Sequence, residues 1–370
     1  MTWETDKRVV LTLDAGGTNF AFSAVQGGRQ IGDTVVLPAE PNDLDKSLGN
    51  ITEGFQRLID ALGTSPAAIS FAFPGPADYP HGIIDNGGNL PAYNNGVALG
   101  PMLADRFGVP VYMNNDGDLF AYGEAIAGLL PKVNRQLEEA GSPKRYRNLF
   151  AVTLGTGFGG GIVRNGELFI GDNSNAGEIW IMRNKLGKDA FAEEGASIRA
   201  VQAAYGEIAG TDADDLPEPK EIFEIGMGTA TGDQKAAQMA FARLGEVVGD
   251  ALANALTLID GLAVIGGGLA GASPLFMPRL IEELNGTIAK YNGERIPRLA
   301  QRAFNLDDPD QLAAFLRGEA REIVVPGTDR KVAYDPLKRI GVGVSELGAN
   351  RAVGIGAYAY ALQQLDQAQS

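Results

Sequence analysis

The 370-residue chain reads as a mixed α/β protein built from two similar halves. Two glycine-rich turns carry that reading: Leu13-Asp14-Ala15-Gly16-Gly17-Thr18-Asn19 and Leu154-Gly155-Thr156-Gly157-Phe158-Gly159-Gly160-Gly161. Each leaves a short apolar run and enters another β-prone stretch, not a helix with Rossmann spacing. Glycine lets backbone N–H groups converge on a ligand, and each turn adds a threonine hydroxyl. Two such turns imply that both halves grip one polyphosphate, which points to nucleotide-dependent phosphoryl transfer.

The first half begins with a strand, the first Gly turn, a strand at Phe20–Gln26, another Gly turn and a third strand ending near Leu37. Leu48, Ile51, Phe55, Leu58, Ile59 and Leu62 then recur at helical spacing, which predicts a helix over 44–62. Ala68–Phe73 is a short buried strand running into Pro74-Gly75-Pro76. Pro101–Phe107 reads as helix, and Val109–Met113 as a strand leading to Asn114-Asn115-Asp116. The order is β-β-β-α-β-α-β. A second cycle starts at Leu149 with a strand, a Gly turn, a strand at Gly160–Arg164, the Asn165-Gly166 turn and a strand at Glu167–Ile170. Helices over about 197–209 and 234–258 precede the strand Gly261–Ile265 and the cluster Gly266-Gly267-Gly268. The polar segments Pro131–Arg147 and Thr211–Lys220 read as solvated surface insertions. Region 290–338 is irregular apart from a helix at Pro309–Gly318.

A hydrophobic content of 45% with 21% charged residues describes a globular protein long enough for two domains. A net charge of −15 argues against nucleic acid as a partner, which would need a basic face. With no cysteine, disulfides and thiolate zinc sites are excluded. Met1–Arg8 has no apolar signal core and no run reaches membrane-spanning length, so no membrane partner is expected and the default residence is cytoplasmic.

The most specific stretch is Gly108-Val109-Pro110-Val111-Tyr112-Met113-Asn114-Asn115-Asp116-Gly117-Asp118, followed by Gly123-Glu124. With the Gly turns, Phe73-Pro74-Gly75-Pro76, Asn89-Leu90-Pro91 and Asn175-Ala176-Gly177-Glu178, it resembles the ROK family (repressors, open reading frames and sugar kinases) of the actin-like ATPase superfamily. The resemblance runs from about Val9 to the C-terminus. It implies the actin-like ATPase (ribonuclease H-like) fold, a duplicated mixed sheet flanked by helices with an interdomain cleft. The implied domains are a smaller one, 1–116 plus 352–370, and a larger one, 117–351, with Ala352–Gln363 as the last helix returning to the smaller. The implied activity is that of an ATP-dependent hexokinase using Mg²⁺ and acting as a homodimer. Glucose at its 6-hydroxyl is the first choice; N-acetylglucosamine, N-acetylmannosamine, mannose and fructose stay open.

Asp116 follows a strand end, where open α/β sheets carry functional side chains, and is equally readable as a residue closing a turn. The resemblance makes it the base that takes the sugar's proton. It also implies that Asn115, Asn89 and Gly75 line the sugar pocket, and that Glu178 and Glu193 bind hydroxyls near the anomeric end. Glu178 is otherwise a first-turn carboxylate. Glu193 is chosen because Ala196-Ser197 and Arg199-Ala200 then keep register, with Glu194 as the other candidate. Gly16, Gly17, Thr18, Gly155, Thr156 and Gly157 would hold the ATP phosphates, where the competing reading for each glycine is a tight turn at positive φ. Asp14 would orient Mg²⁺ through water, and Gly267 and Gly268 would border adenosine.

One feature departs from the family. Many members carry Gly-His after the first sugar-binding glutamate, with cysteines nearby, and bind a structural zinc. Trp180 and Ile181 stand at the Gly-His positions here and cysteine is absent, so no zinc site is expected. The loop to Glu193 must then be held by packing around Trp180, Ile181 and Phe191. The sole histidine, His81, reads as an exposed turn residue. Two other classes compete. A ROK-type regulator would place a helix-turn-helix before the first Gly turn, where only residues 1–13 precede Asp14. A chaperone-like ATPase would not need Asn115-Asp116.

Overall fold

The first sheet grows from three antiparallel strands. β1 (Val10–Ala15) and β2 (Asn19–Gln26) pair with Val10 opposite Val25 and Ala15 opposite Phe20, and β3 (Arg29–Pro38) forms the edge. Helix α1 (Leu44–Leu62) starts where the Asp43 side chain accepts the Lys46 N–H and stops at Gly63, whose φ of 62° suits glycine. β4 (Ala68–Ala72) is buried on both faces, as a strand inside a parallel portion should be. Helix α2 (Leu99–Phe107) leads to β5 (Val111–Asn114) and α3 (Asp116–Ile126). The sheet order is β3-β2-β1-β4-β5. Phe22, Phe55, Phe71 and Phe73 pack its core, with Phe22 edge-on to Phe55 at 5.1 Å between ring centroids.

Helix α3 is buried on all sides from Gly117 to Ala125, Asp118 and Glu124 included. The C-terminal helix Ala349–Ala368 makes this possible by crossing it closely. A Cβ at Gly123 would fall 2.0 Å from the Ala352 carbonyl oxygen, and one at Gly356 would fall 2.0 Å from that of Leu119. Only glycine at both positions permits that approach. The helix is tied to the sheet by Ser70 Oγ, which donates to the Ala357 carbonyl at 2.7 Å.

The computed structural model describes residues 3–75, 77–85, 90–187 and 189–369. The chain packs as two compact units: residues 1–126, 168–176 and 350–370 in one, 127–167 and 177–349 in the other. The second opens with α4 (Leu129–Glu139), followed by β6 (Leu149–Leu154), β7 (Phe158–Arg164) and the short β8 (Glu167–Leu168). Helices α5 (Ile198–Ala209), α6 (Pro219–Gly226) and α7 (Gln234–Ile259) come next. Then come β9 (Leu262–Gly266), α8 (Ser273–Leu284), β10 (Arg302–Asn305), α9 (Pro309–Arg317) and β11 (Arg339–Val344). The order β8-β7-β6-β9-β11-β10 repeats the first sheet's plan, a Gly turn after its first strand and a parallel partner beside that strand. Among the described residues no helix is long and apolar enough to cross a membrane.

One expectation is corrected. Pro131–Arg147 is not a solvated insertion, because α4 covers most of it and buries Leu129, Leu130, Val133 and Leu137. Leu129, Val133 and Leu137 are spaced four apart, so the mixed charges occupy only its outer face. Thr211–Lys220 is largely exposed, with a short turn of helix at Ala213–Asp215 and the start of α6 at Pro219. Region 290–338 carries α9, the second strand of the hairpin Thr287–Ala289/Arg295–Pro297 and the whole of the hairpin Arg321–Val324/Lys331–Tyr334. These hairpin strands are exposed along nearly their whole length, so they carry no buried face for periodicity to reveal.

Candidate active site

Strand register gathers the predicted residues of the first unit. Asp14 pairs with Ala72, and Ala72 pairs with Asn114, so β1, β4 and β5 end level with one another. The loops leaving those ends carry Gly16-Gly17-Thr18, Gly75 and Asn115-Asp116. This is the carboxyl edge of a parallel sheet, the usual ligand edge in such folds. Asp14, Gly17 and Thr18 are exposed there. Gly16 does not sit at positive φ; a Cβ on it would lie 2.9 Å from the Asn19 carbonyl oxygen, so close approach is what calls for glycine. Gly75 packs under Tyr79, whose hydroxyl would lie 2.5 Å from an added Cβ. Asn89 lies outside the described residues.

Asn115 and Asp116 begin helix α3. The Gly117 N–H is accepted by Asn115 Oδ1 at 2.7 Å and by Asp116 Oδ1 at 2.9 Å, so the pair does close a turn and cap the helix. Asp116 is nevertheless exposed, and its second carboxylate oxygen has no partner among the described residues. Turn closure and proton acceptance are therefore compatible. His81 lies exposed on the turn Tyr79–His81 with its Nδ1 2.9 Å from the Asp78 carboxylate.

In the second unit Thr153 of β6 pairs with Gly266 of β9, which sets the turn Gly155-Thr156-Gly157 beside Gly267-Gly268. The Leu269 N–H donates to the Leu154 carbonyl at 2.9 Å and closes this edge. Gly267 has φ 88°, and a Cβ on it would lie 2.3 Å from Leu154 O. Gly155 and Gly268 are different. Neither has a positive φ, an added Cβ at Gly155 meets nothing nearer than Gly268 N at 4.0 Å, and one at Gly268 meets nothing within 4 Å. Two glycines that the protein's own packing does not require, facing open space, leave a cradle of the kind a phosphate chain fills.

Glu193 is brought directly to this turn. Its Oε2 accepts the Phe158 N–H at 3.0 Å, while its Oε1 lies 3.4 Å from Arg199 Nη2. Its side chain is 23% exposed against 51% for Glu194, which pairs with Arg199 at 3.6 Å. Position thus distinguishes the two glutamates. Glu178 follows Gly177, which has φ 88° and lies against Gly160, and it precedes the short helical turn Ile179–Ile181. The Trp180 indole N–H donates to Glu178 Oε2. Trp180 stands edge-on to Phe191, with centroids 5.8 Å apart and planes at 86°, whereas Ile181 is 62% exposed and packs little. The loop is also stitched by the Ala192 N–H to the Met182 carbonyl at 2.7 Å and by a bridge between Arg183 and Phe191. The Trp180 and Phe158 N–H groups on these carboxylates were not foreseen. The first is signalled only by an indole two residues past a glutamate, and the second is a backbone group with no sequence signature.

A mixed sheet of this order, built twice with a Gly turn after its leading strand, defines the actin-like ATPase fold. Within it the chain belongs to the ROK family, whose model matches residues 10–308. The glucokinase from Parabacteroides distasonis is 55% identical, with a TM-score of 0.91 over 98% of this chain and 99% of that one. The N-acetyl-D-glucosamine kinase of Vibrio vulnificus is 27% identical over 298 residues, 75% of this chain and 90% of that protein. The ROK hexokinase from Thermus thermophilus shares the fold at 20% identity, with a TM-score of 0.67 over 97% of this chain and 99% of that one.

Proposed function

We propose that this ATP-dependent sugar kinase of the ROK family phosphorylates glucose at the 6-hydroxyl. The observation that carries the choice of sugar is the 55% identity, over nearly the whole chain, to a glucokinase. In the reaction the bond from sugar O6 to the γ-phosphorus forms, the bond from that phosphorus to the β,γ-bridging oxygen breaks, and the O6 proton passes to Asp116. Asp116 stands exposed at the start of α3 with one carboxylate oxygen engaged by Gly117, which leaves the other to accept the proton. Asn115, Asn89 and Gly75 would bind the sugar. Glu178 and Glu193 take hydroxyls toward the anomeric end.

ATP supplies the phosphoryl group. Gly16, Gly17, Thr18, Gly155, Thr156 and Gly157 would hold its phosphates, and Gly267 and Gly268 would border its adenosine. The open space over Gly155 and Gly268 suits that use. Asp14 would orient Mg²⁺ through the ion's own waters. Curated N-acetyl-D-glucosamine kinases matching at 27% identity favour a second reading, in which the pocket admits a 2-acetamido group.

An assay of ADP release across glucose, mannose, fructose, N-acetylglucosamine and N-acetylmannosamine, with ATP and Mg²⁺, tests both. The highest kcat/KM is expected for glucose. A higher value for N-acetylglucosamine would replace the first reading with the second, and no turnover on any sugar would sink both.

A further inference from the structure

We propose that Trp180 is a positioning residue for the sugar: its indole N–H fixes the Glu178 carboxylate so that the remaining oxygen meets a hydroxyl near the anomeric carbon. The inference rests on Glu178 being a sugar ligand. An indole nitrogen can only donate, and a carboxylate is a strong acceptor for it. The bond goes to Oε2 and leaves Oε1 for another donor.

The ring itself is held rather than buried. Trp180 is 36% exposed, yet its edge contact with Phe191 ties it to the strand-like pair Arg183/Phe191, two residues before Glu193. On its other side Ile179 is 1% exposed and seats the turn against Gly160. A large aromatic side chain placed only for packing would bury its ring. This one spends its sole polar atom on a carboxylate and leaves much of the ring in solvent. The indole N–H is thus this chain's device for orienting Glu178.

Trp180→Phe keeps an aromatic side chain facing Phe191 while deleting the N–H. It is to be compared with wild type and Glu178→Gln on glucose, 1-deoxyglucose and 2-deoxyglucose. For Trp180→Phe the glucose KM is expected to rise about tenfold with kcat within about twofold, the effect of one hydrogen bond to a charged acceptor. On whichever deoxy sugar lacks the hydroxyl that Glu178 takes, the variant and wild type should agree within about twofold, because the interaction being oriented is already gone.

An equal rise on all three sugars would mean that the ring only shapes the loop and would overturn the proposal, as would no rise at all. If Glu178→Gln raises the glucose KM and Trp180→Phe does not, only the role of Trp180 fails. If Glu178→Gln changes nothing, the sugar-ligand reading of Glu178 fails. In a Trp3→Phe background Trp180 is the only fluorophore of its kind, and glucose should change its emission; an unchanged spectrum at saturating glucose counts against the proposal.

Discussion

Gly155 and Gly157 stand two residues apart in the same turn, and alanine should act on them in opposite ways. At Gly157 a Cβ would lie 2.8 Å from Glu193 Oε2, closer than two such atoms tolerate. The carboxylate is the end of a flexible side chain, so it swings away and the 3.0 Å bond from the Phe158 N–H is lost. A hydrogen bond to a charged acceptor contributes about 1.5–3 kcal/mol, and that sets the scale. If this bond holds Glu193 in its sugar-binding orientation, Gly157→Ala raises the glucose KM about ten- to a hundredfold. The Arg199 pair offsets little of the loss, since that side chain is 64% exposed. At Gly155 a Cβ enters open space, so Gly155→Ala should leave the melting temperature unchanged. Its effect should fall on ATP, as a rise in nucleotide KM, because the methyl group occupies the space the phosphates need. Steady-state kinetics with each substrate varied, alongside thermal melts, separates the two. A normal glucose KM in Gly157→Ala would refute the coupling of Glu193 to the turn, and a normal ATP KM in Gly155→Ala would refute the cradle.

Three further outcomes are expected. Asp116→Asn should keep glucose binding by calorimetry while turnover falls by about 10²–10⁴-fold, the usual worth of a general base; near-normal turnover would remove Asp116 from that role. Asp335 and Arg339 form a pair buried to 4% and 0% exposure at 2.5 Å. Burial raises the Asp335 carboxyl, but bonds from Arg339 and from the Glu319 and Leu337 amides outweigh it and hold its pKa below 3.8. A depressed carboxyl stabilises the fold above its unfolded value and loses that contribution as pH falls through the folded one. Asp335→Asn should therefore cost about 3–5 kcal/mol in urea unfolding at pH 7, with the difference from wild type shrinking below about pH 3.8; a difference that does not depend on pH would contradict the assignment. Metal analysis of purified protein should find no stoichiometric zinc, since zinc at one per chain would mean that a ligand set without cysteine had been overlooked.

The elements that sequence made readable are those with one buried face or two. Helix α1 announces itself through six apolar positions at helical spacing, and β4 through an unbroken run buried on both sides. The strand leading to Asn115-Asp116 was equally plain. Two kinds of segment resisted. Helix α4 hides behind charge and proline because a segment begun at Pro131 leaves out Leu129 and Leu130, half of its buried residues. Helix α3 hides for the opposite reason: buried all round, it has almost no amphipathic signal, and its Gly123 is explained only by the C-terminal helix, whose Gly356 is explained in turn by α3. The positive-φ explanation also fails for Gly16, Gly155 and Gly157. Gly16 and Gly157 are demanded by neighbours, and Gly155 by nothing in the protein.

That last contrast bears on how this chain holds the loop from Glu178 to Glu193 without cysteine. A bound metal would fix such a loop at one point through several strong ligands. Here the same span is fixed at several weaker points, among them Trp180 on Glu178, Trp180 against Phe191, the Ala192 N–H on the Met182 carbonyl, the Asn184 N–H on the Ala190 carbonyl, and the Phe158 N–H on Glu193. Two of those points end on carboxylates that the proposed function gives to the sugar. Scaffold and proposed ligand set would therefore share the same two side chains. Substitutions in this loop should then shift sugar affinity and sugar preference together. A variant such as Ile181→Ser, at a 62% exposed position whose side chain makes none of these contacts, should shift neither. If Ile181→Ser alters the ranking of the sugar panel as strongly as Phe191→Ala does, these contacts are not what orients the glutamates.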